Sequence, residues 1–173
     1  MPQTRIALVS TGGTIEKTYD ELQGVMHNSV SVLDVMLASL QLEGVEIVRV
    51  PLLNKDSLEM TAAEHQLIAE TARSMGHHHD GVVIVHGTDT LAETGEAVAA
   101  LDPPPDVPVV LTGAMRPYVM RNTDALQNLT EALLAVQLLP AGVYVAIHNQ
   151  VLRFPGVVKD RTQGTFRAGT ADG

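Results

Sequence analysis

The feature that most constrains the fold of this chain is a regular alternation of two kinds of segment. Five short, continuous apolar runs rich in Val, Ile and Leu have the character of strands buried on both faces. They are residues 5–10, 45–52, 81–86, 107–112 and 142–147. Helix-like segments separate them, at residues 29–41, 62–75, 91–101 and 123–139. The order predicts an α/β fold, a three-layer, doubly wound and mainly parallel sheet of about five strands with helices on both faces.

Local signals set several boundaries of these segments. Thr61 and Glu64 form a T-x-x-E capping box ahead of the second helix. A run of three prolines at 103–105 ends the third helix. The segment after His148 has no clear helix or strand pattern, and its Gly/Ala/Asp end is expected to be mobile. Because no internal boundary is visible, residues 1–173 are predicted to form a single domain.

The composition argues against several classes of partner. Eleven basic and twenty acidic residues give a formal net charge of −9, which disfavours nucleic acid or an anionic membrane as partner. The absence of cysteine excludes a disulfide framework and a thiolate site. The amino terminus lacks the pattern of a secretory signal, and no window has the length of an apolar membrane span. A soluble, cytoplasmic protein is therefore expected.

Hydroxyls and glycines collect where four of the predicted strands end. Right-handed crossovers place the carboxyl ends of parallel strands on one rim, where ligands bind in α/β folds. The segments that follow the first four strands are Thr11-Gly12-Gly13-Thr14, Asn54-Lys55-Asp56-Ser57, His86-Gly87-Thr88-Asp89-Thr90 and Gly113-Ala114-Met115-Arg116. Glycine permits sharp turns and close approach to backbone N–H groups, which suit an anion or an oxyanion. The conjunction predicts a site on this rim.

Each of these motifs also has a purely structural interpretation. The Thr11–Thr14 segment fits a tight turn, and it is neither a dinucleotide fingerprint nor a P-loop. Thr88 or Asp89 fits the N-cap of the next helix, and Ser57 fits an ordinary loop hydroxyl. Arg116 is interpreted as a residue that holds its own loop.

Lysine and histidine have their own alternatives. Desolvation would favour the neutral amine of Lys159, which could then act as a base, but a surface ion pair with Asp160 is the simpler interpretation. The consecutive histidines 77–79 cannot converge on one tetrahedral metal, so no metal site is predicted, and they are expected to end a helix. His86 is expected to orient its loop.

Two motifs resemble the signatures of a known family, the bacterial-type L-asparaginases. They are Thr11-Gly12-Gly13-Thr14-Ile15 and His86-Gly87-Thr88-Asp89-Thr90. Their spacing also matches the family, as do Asp56-Ser57, Thr112-Gly113-Ala114-Met115-Arg116-Pro117 and Val157-Val158-Lys159. The resemblance covers essentially the whole chain, but only the larger, N-terminal domain of the usual two-domain member. It is nearest to the short, single-domain bacterial members.

The resemblance implies hydrolysis of the side-chain amide of L-asparagine to aspartate and ammonia, with no metal or organic cofactor. It also implies roles for individual residues. These are the nucleophile Thr14 with its activating partner Tyr19, the hydroxyl–amine pair Thr88 and Lys159, the ammonium-binding Asp89, and the carboxylate-binding Ser57 beside Asp56. Direct attack by water held near Thr88 is the alternative to a threonine nucleophile.

Departures from the family shape the remaining expectations. Usual members complete each site with a second domain of a neighbouring subunit, and Leu58 stands where many relatives have a polar residue. A Michaelis constant of about 1 mM is therefore expected. The alternatives are a non-catalytic amino-acid-binding module and an ammonia-delivering subunit of an amidotransferase. Residues 16–28, which carry Tyr19, are expected to be mobile without ligand. Surplus apolar residues on helices 29–41 and 123–139 predict a homodimer or a dimer of dimers.

Overall fold

The computed structural model describes residues 3–28 and 31–170. The first part of the chain contains β1 (Thr4–Gly12), β2 (Thr18–Asp20), β3 (Val25–His27), α1 (Leu33–Ala38), β4 (Val45–Lys55) and α2 (Ala62–Gly76). The second part contains β5 (Gly81–Val85), α3 (Leu91–Ala99), β6 (Pro108–Thr112), α4 (Ala125–Leu138), β7 (Gly142–Ile147), β8 (Gln150–Arg153), β9 (Val157–Asp160) and β10 (Thr165–Ala168).

The main sheet has six strands in the order β4-β1-β5-β6-β7-β8. The five predicted strands pair in parallel, and β8 alone runs antiparallel, against β7. The predicted α/β class is therefore confirmed. One detail was wrong: β4 was expected to be buried on both faces, but it forms an edge of the sheet and is only half-buried.

The segment after His148 is more regular than its sequence indicates. His148 and Asn149 turn the chain with positive φ angles of 52° and 61°, and β8 then returns beside β7. The chain goes on to form the antiparallel β9–β10 hairpin. The sequence pattern missed β8 because it is a short edge strand whose side chains alternate between half-buried and exposed. The last residues, 171–173, for which mobility was expected, lie outside the described part.

Two apolar layers hold the helices against the two faces of the sheet. Along β1, Ala7 and Val9 face one layer, and Ile6 and Leu8 face the other. The first layer packs against α2 and α3, and the second against α1 and α4. Helices on both faces were predicted, and the structure confirms them.

The helix boundaries differ modestly from the prediction. The capping box is present: Thr61 Oγ1 accepts the Glu64 N–H, and the Glu64 carboxylate accepts the Thr61 N–H. The first helix was predicted too long, since α1 spans only Leu33–Ala38, and residues 29 and 30 lie outside the described part. Within the described ranges, no helix is long and apolar enough to cross a membrane.

Candidate active site

The turns after β1, β4 and β5 meet at one rim of the sheet, as predicted. A Cβ atom on Gly13 would lie only 2.6 Å from the Gly87 Cα, so the two turns pack back to back. A Cβ atom on Gly12 would lie 2.5 Å from the Lys55 backbone N. Gly12 and Gly13 also have φ angles of 97° and 87°, which disfavour any side chain. The glycines therefore permit close contact among the three turns.

Lys159 reaches this rim from β9. Its Nζ lies 2.8 Å from Thr88 Oγ1 and 2.9 Å from Asp89 Oδ1, and its side chain is 15% exposed. The structure thus brings together the hydroxyl–amine pair and the carboxylate that the family resemblance implied. The surface ion pair between Lys159 and Asp160 was wrong, because the Asp160 carboxylate lies instead 3.5 Å from Arg167.

The helix-cap interpretation of Thr88 and Asp89 is also wrong. The N-cap of α3 is Thr90, and no side chain caps that helix. Asp89 instead accepts hydrogen bonds from two cations, Lys159 and Arg161, both at its Oδ1 atom. Asp89 Oδ2 has no hydrogen-bond partner among residues 3–28 and 31–170, which leaves it available to a ligand.

Charge governs this corner of the site. The hydrogen bond from Lys159, followed by that from Arg161, holds the pKa of Asp89 below its ordinary value, so the carboxylate is ionised. Arg161 lies 2.8 Å from it and is largely exposed. Arg161 was not among the residues predicted from the sequence. Its position two residues after Lys159, where side chains of an extended chain share a side, was the available signal.

Thr14 and Tyr19 are placed differently from one another. Thr14 opens a short 3₁₀ turn directly after Gly13 and is half-buried. Tyr19 lies on β2 and is 61% exposed. In the described part of the chain, no hydrogen bond joins the Tyr19 hydroxyl to Thr14, so their partnership stays a prediction. The segment around Tyr19 is a β2–β3 hairpin, where the sequence had shown no period.

Ser57 and Asp56 organise the turn after β4. Ser57 is only 2% exposed, and its Oγ accepts the Thr90 N–H at 3.3 Å while its carbonyl accepts the Thr90 hydroxyl at 2.9 Å. Asp56 accepts the Leu58 N–H and pairs with Lys17 at 3.0 Å. These two contacts, the first foremost, lower the pKa of Asp56. The hydrogen bonds are those of a loop-organising residue, and a substrate contact of Ser57 stays a prediction.

His86 is fully buried behind the rim. Its Nδ1 lies 2.7 Å from the Gly87 carbonyl oxygen, and its Nε2 lies 2.7 Å from Thr94 Oγ1. Thr94 Oγ1 in turn lies 2.7 Å from His65 Nδ1. Burial lowers the pKa of His86 to about 4. These contacts agree with a loop-orienting role for His86, whereas no sequence signal pointed to Thr94 or His65, which come from two different helices.

The other singled-out residues have local partners. His77 is the C-cap of α2, and His79 contacts the Met75 carbonyl of the same helix, as expected of residues that end a helix. The Arg116 side chain donates to the Asn122 carbonyl and so holds the loop after β6. Over the described ranges, no group of three or more His, Asp or Glu side chains is arranged to hold a metal ion.

The doubly wound sheet and the hydroxyl, amine and carboxylate side chains on its rim define an α/β domain of the class found in amidohydrolases of the asparaginase type. The sequence family described as "Asparaginase, N-terminal" matches residues 5–170. The chain therefore belongs to the asparaginase family.

Individual relatives agree with this assignment. The chain is 33% identical to an L-asparaginase from Thermococcus kodakarensis over 162 residues, which is 92% of this chain and 49% of that protein. A solved structure of the thermostable L-asparaginase from that organism has a TM-score of 0.85 at 31% identity, covering 95% of this chain and 51% of the other. A "probable cytoplasmic L-asparaginase" from Campylobacter jejuni gives a TM-score of 0.80 at 32% identity, covering 96% of this chain and 52% of the other.

A second group of relatives has a different name. The chain is 36% identical to a glutamyl-tRNA(Gln) amidotransferase subunit from Haloquadratum walsbyi over 146 residues, which is 83% of this chain and 33% of that protein. This chain therefore spans about half the length of the L-asparaginases and a third of the amidotransferase protein.

Proposed function

We propose that this domain hydrolyses the side-chain amide of L-asparagine to L-aspartate and ammonia. The observation that carries the proposal is the contact of Lys159 Nζ with both Thr88 Oγ1 and Asp89 Oδ1, at 2.8 and 2.9 Å. A hydroxyl is a weak nucleophile until a neighbouring group takes its proton. A binding module would need the carboxylate but not the hydroxyl–amine pair, so this contact favours catalysis.

In the proposed reaction, the Thr14 oxygen attacks the amide carbon while its proton passes to the Tyr19 oxygen, and Tyr19 releases its own hydroxyl proton to solvent. Backbone N–H groups of the glycine-rich turns hold the negative charge that develops on the carbonyl oxygen. The C–N bond breaks, the leaving nitrogen takes a proton from the Lys159 ammonium, which becomes a neutral amine, and ammonia departs. A water molecule, activated at the Thr88–Lys159 pair, then hydrolyses the threonine ester and restores the Thr14 hydroxyl. No metal or organic cofactor takes part.

Substrate recognition depends on Asp89 in this proposal. Its Oδ2 atom, unoccupied by described residues, accepts the α-ammonium of the substrate, and Ser57 with Asp56 lies beneath the α-carboxylate. The Campylobacter jejuni relative is described as a "probable cytoplasmic L-asparaginase", which supports a cytoplasmic location for this protein as well.

The experiment that tests the proposal measures ammonia release from L-asparagine by the purified 173-residue chain. We expect Thr14→Ala to lower kcat by about 10³- to 10⁴-fold, because the nucleophile is lost. Lys159→Met should lower kcat by about 10²- to 10³-fold, because the side-chain bulk remains but the amine is removed. Thr71→Ala is the matched control, since that hydroxyl donates to the Leu67 carbonyl of its own helix.

The rates of the variants distinguish a catalytic role of each residue from a structural one. Circular dichroism should show the same fold in all three variants, since Thr14 lies on a turn. A rate close to wild type in Thr14→Ala would remove that residue from the mechanism. A rate close to wild type in Lys159→Met would remove the amine and leave Lys159 as a structural partner of Asp89.

A second candidate function is an ammonia-delivering subunit of an amidotransferase. Relatives named as a subunit of glutamyl-tRNA(Gln) amidotransferase, between 30% and 36% identical to this chain, favour it. In that case, the isolated chain should release little ammonia until a partner protein is added. Rapid release by the chain alone would support the asparaginase, whereas binding of L-asparagine without release would support the binding module.

A further inference from the structure

A buried chain of hydrogen bonds runs behind the rim from α2 to the turn that carries Thr88. It passes from His65 through Thr94 and His86 to the Gly87 carbonyl, and each of the three steps is 2.7 Å long. Thr94 and His86 are fully buried, and His65 is 6% exposed. The two imidazole rings are stacked, with centroids 6.0 Å apart. Three separate elements thus converge on one peptide group.

The donors and acceptors in this series of hydrogen bonds can be assigned, and all of the bonds point the same way. Because burial lowers the pKa of His86 to about 4, its ring is neutral at pH 7 and has a hydrogen on only one of its two nitrogens. The Gly87 carbonyl can only accept, so that hydrogen is on Nδ1 and Nε2 is bare. Thr94 must therefore donate its hydroxyl hydrogen to Nε2 of His86. His65 Nδ1 then donates to the Thr94 oxygen, and at the outer end His65 Nε2 lies 3.3 Å from the exposed Glu93 carboxylate.

This direction decides how the peptide between Gly87 and Thr88 is oriented. The peptide is trans, so its C=O and N–H point in opposite directions. Since the carbonyl is held against the buried His86 ring, the Thr88 N–H points away from that ring. Thr88 N–H has no hydrogen-bond partner in the described ranges of the chain. A glycine peptide rotates more freely than others, so the hydrogen bond from His86 helps to fix this orientation, together with the close packing of Gly87 against Gly13 and Ser57.

We propose that Thr94 is a positioning residue, which acts through His86 to hold the Thr88 N–H toward the substrate carbonyl. Thr94 itself touches neither substrate nor reacting atoms. The inference rests on the proposed amide hydrolysis, in which a prearranged N–H group at this turn stabilises the oxyanion without having to reorient during the reaction.

The test compares Thr94→Val, which keeps the shape but removes the donor, with Thr94→Ser, which restores it. We expect Thr94→Val to lower kcat for L-asparagine by about 10- to 100-fold, less than the ~10²–10³-fold loss when an oxyanion donor is removed outright. KM should stay within about twofold, because the ground-state contacts at Asp89 are unchanged. Thr94→Ser should recover most of the wild-type kcat.

Thr112→Val is the matched control for the loss of a buried hydroxyl. Thr112 is also fully buried, but its hydroxyl donates to the Ala146 carbonyl, on the β7 side of the sheet. It should lose thermal stability to a similar degree as Thr94→Val while kcat per folded molecule is unchanged. Equal kcat in Thr94→Val and wild type, or a change confined to KM, would overturn the proposal.

A nuclear magnetic resonance measurement tests the same series of hydrogen bonds and does not require enzymatic activity. Wild-type His86 should carry its ring hydrogen on Nδ1. In Thr94→Val the Thr88 backbone amide resonance should shift, and in Thr94→Ser it should return. A hydrogen on Nε2 of wild-type His86, or an unmoved Thr88 amide in Thr94→Val, would overturn the inference. If wild type releases no ammonia, the proposed function fails, and these resonances still decide the positioning role. The wild-type tautomer and Thr94→Ser keep the test decisive even if Thr94→Val does not fold.

Discussion

Single residues determine how charge is arranged at Asp89, and Arg161 is the least expected of them. Lys159 and Arg161 both donate to Asp89 Oδ1, so two cations face one carboxylate. Lys159 is mostly covered, whereas Arg161 is 66% exposed. An exposed guanidinium beside the carboxylate that we propose binds the substrate's ammonium is well placed to attract the substrate's own carboxylate. Because Ser57 is buried, an exposed residue such as Arg161 can contribute to binding that carboxylate.

Arg161→Gln should therefore raise KM for L-asparagine by about tenfold, which corresponds to about 1.4 kcal/mol, with little change in kcat. Steady-state kinetics at constant ionic strength measures both parameters. Arg167→Gln is the matched control, because Arg167 is similarly exposed but pairs with Asp160. If Arg161→Gln lowers KM instead, Arg161 competes with the substrate's ammonium for Asp89.

Among the secondary-structure elements, the β2–β3 hairpin is a short, separate two-stranded unit outside the main sheet. Its two strands are three residues each. A hydrogen bond between the Asp20 carboxylate and His27 Nε2 closes it internally at 3.1 Å. The Asn28 side chain donates to the Gly13 carbonyl at 2.9 Å and ties the hairpin to the turn that carries Thr14. The hairpin thus carries an exposed Tyr19 next to a fixed hinge point, as a closing lid would require.

We expect the hairpin to close when L-aspartate binds, which would bring Tyr19 toward Thr14. The chain contains three tyrosines and no tryptophan, so tyrosine fluorescence reports the change directly. L-aspartate should alter the emission of wild type and of Tyr118→Phe, the control, but not of Tyr19→Phe. Unchanged emission in wild type, together with equal hydrogen exchange of residues 18–27 with and without ligand, would contradict closure.

For the whole molecule, the buried ring of His86 links stability to pH. Its folded pKa of about 4 lies below the ordinary value of 6.5, so the unfolded chain takes up the proton first as the pH falls. The free energy of unfolding should therefore rise between pH 4 and 6.5, by about 3 kcal/mol from this residue. Urea unfolding across that range should show the slope in wild type and a smaller slope in His86→Gln. Equal slopes would show that His86 is accessible to protons in the folded state.

The surface of the whole molecule also bears on assembly. Of the apolar residues on the fourth helix, Leu133 and Val136 are buried in the core, whereas Leu134 and Leu138 are 57% and 74% exposed. They lie beside the half-exposed Val151 of β8.

This strip agrees with the expected self-association, so we predict that Leu138→Glu shifts a homodimer toward monomer in light scattering. Leu22→Glu is the control, because it makes the same substitution at a leucine of the hairpin that is 93% exposed. It should leave the molar mass unchanged. A wild-type monomer with undiminished specific activity on dilution would rule out the assembly.

The sequence by itself determined the α/β class, the five parallel strands, the capping box of α2 and the rim on which the hydroxyls collect. Those features depend on which residues are buried along a short stretch and on hydrogen bonds between near neighbours, and both leave a periodic or local pattern. Only the tertiary structure decided the partners. Lys159 meets Thr88 71 residues away along the chain, a pair that the family resemblance implied but that no pattern within this sequence indicates. His65, Thr94 and His86 come from α2, α3 and the turn after β5. The edge strand β8 could likewise not be predicted from the sequence, because half-exposed strands have no continuous apolar run. Such pairings depend on strand order and register, which arise from packing summed over the whole domain and leave no mark at any single position.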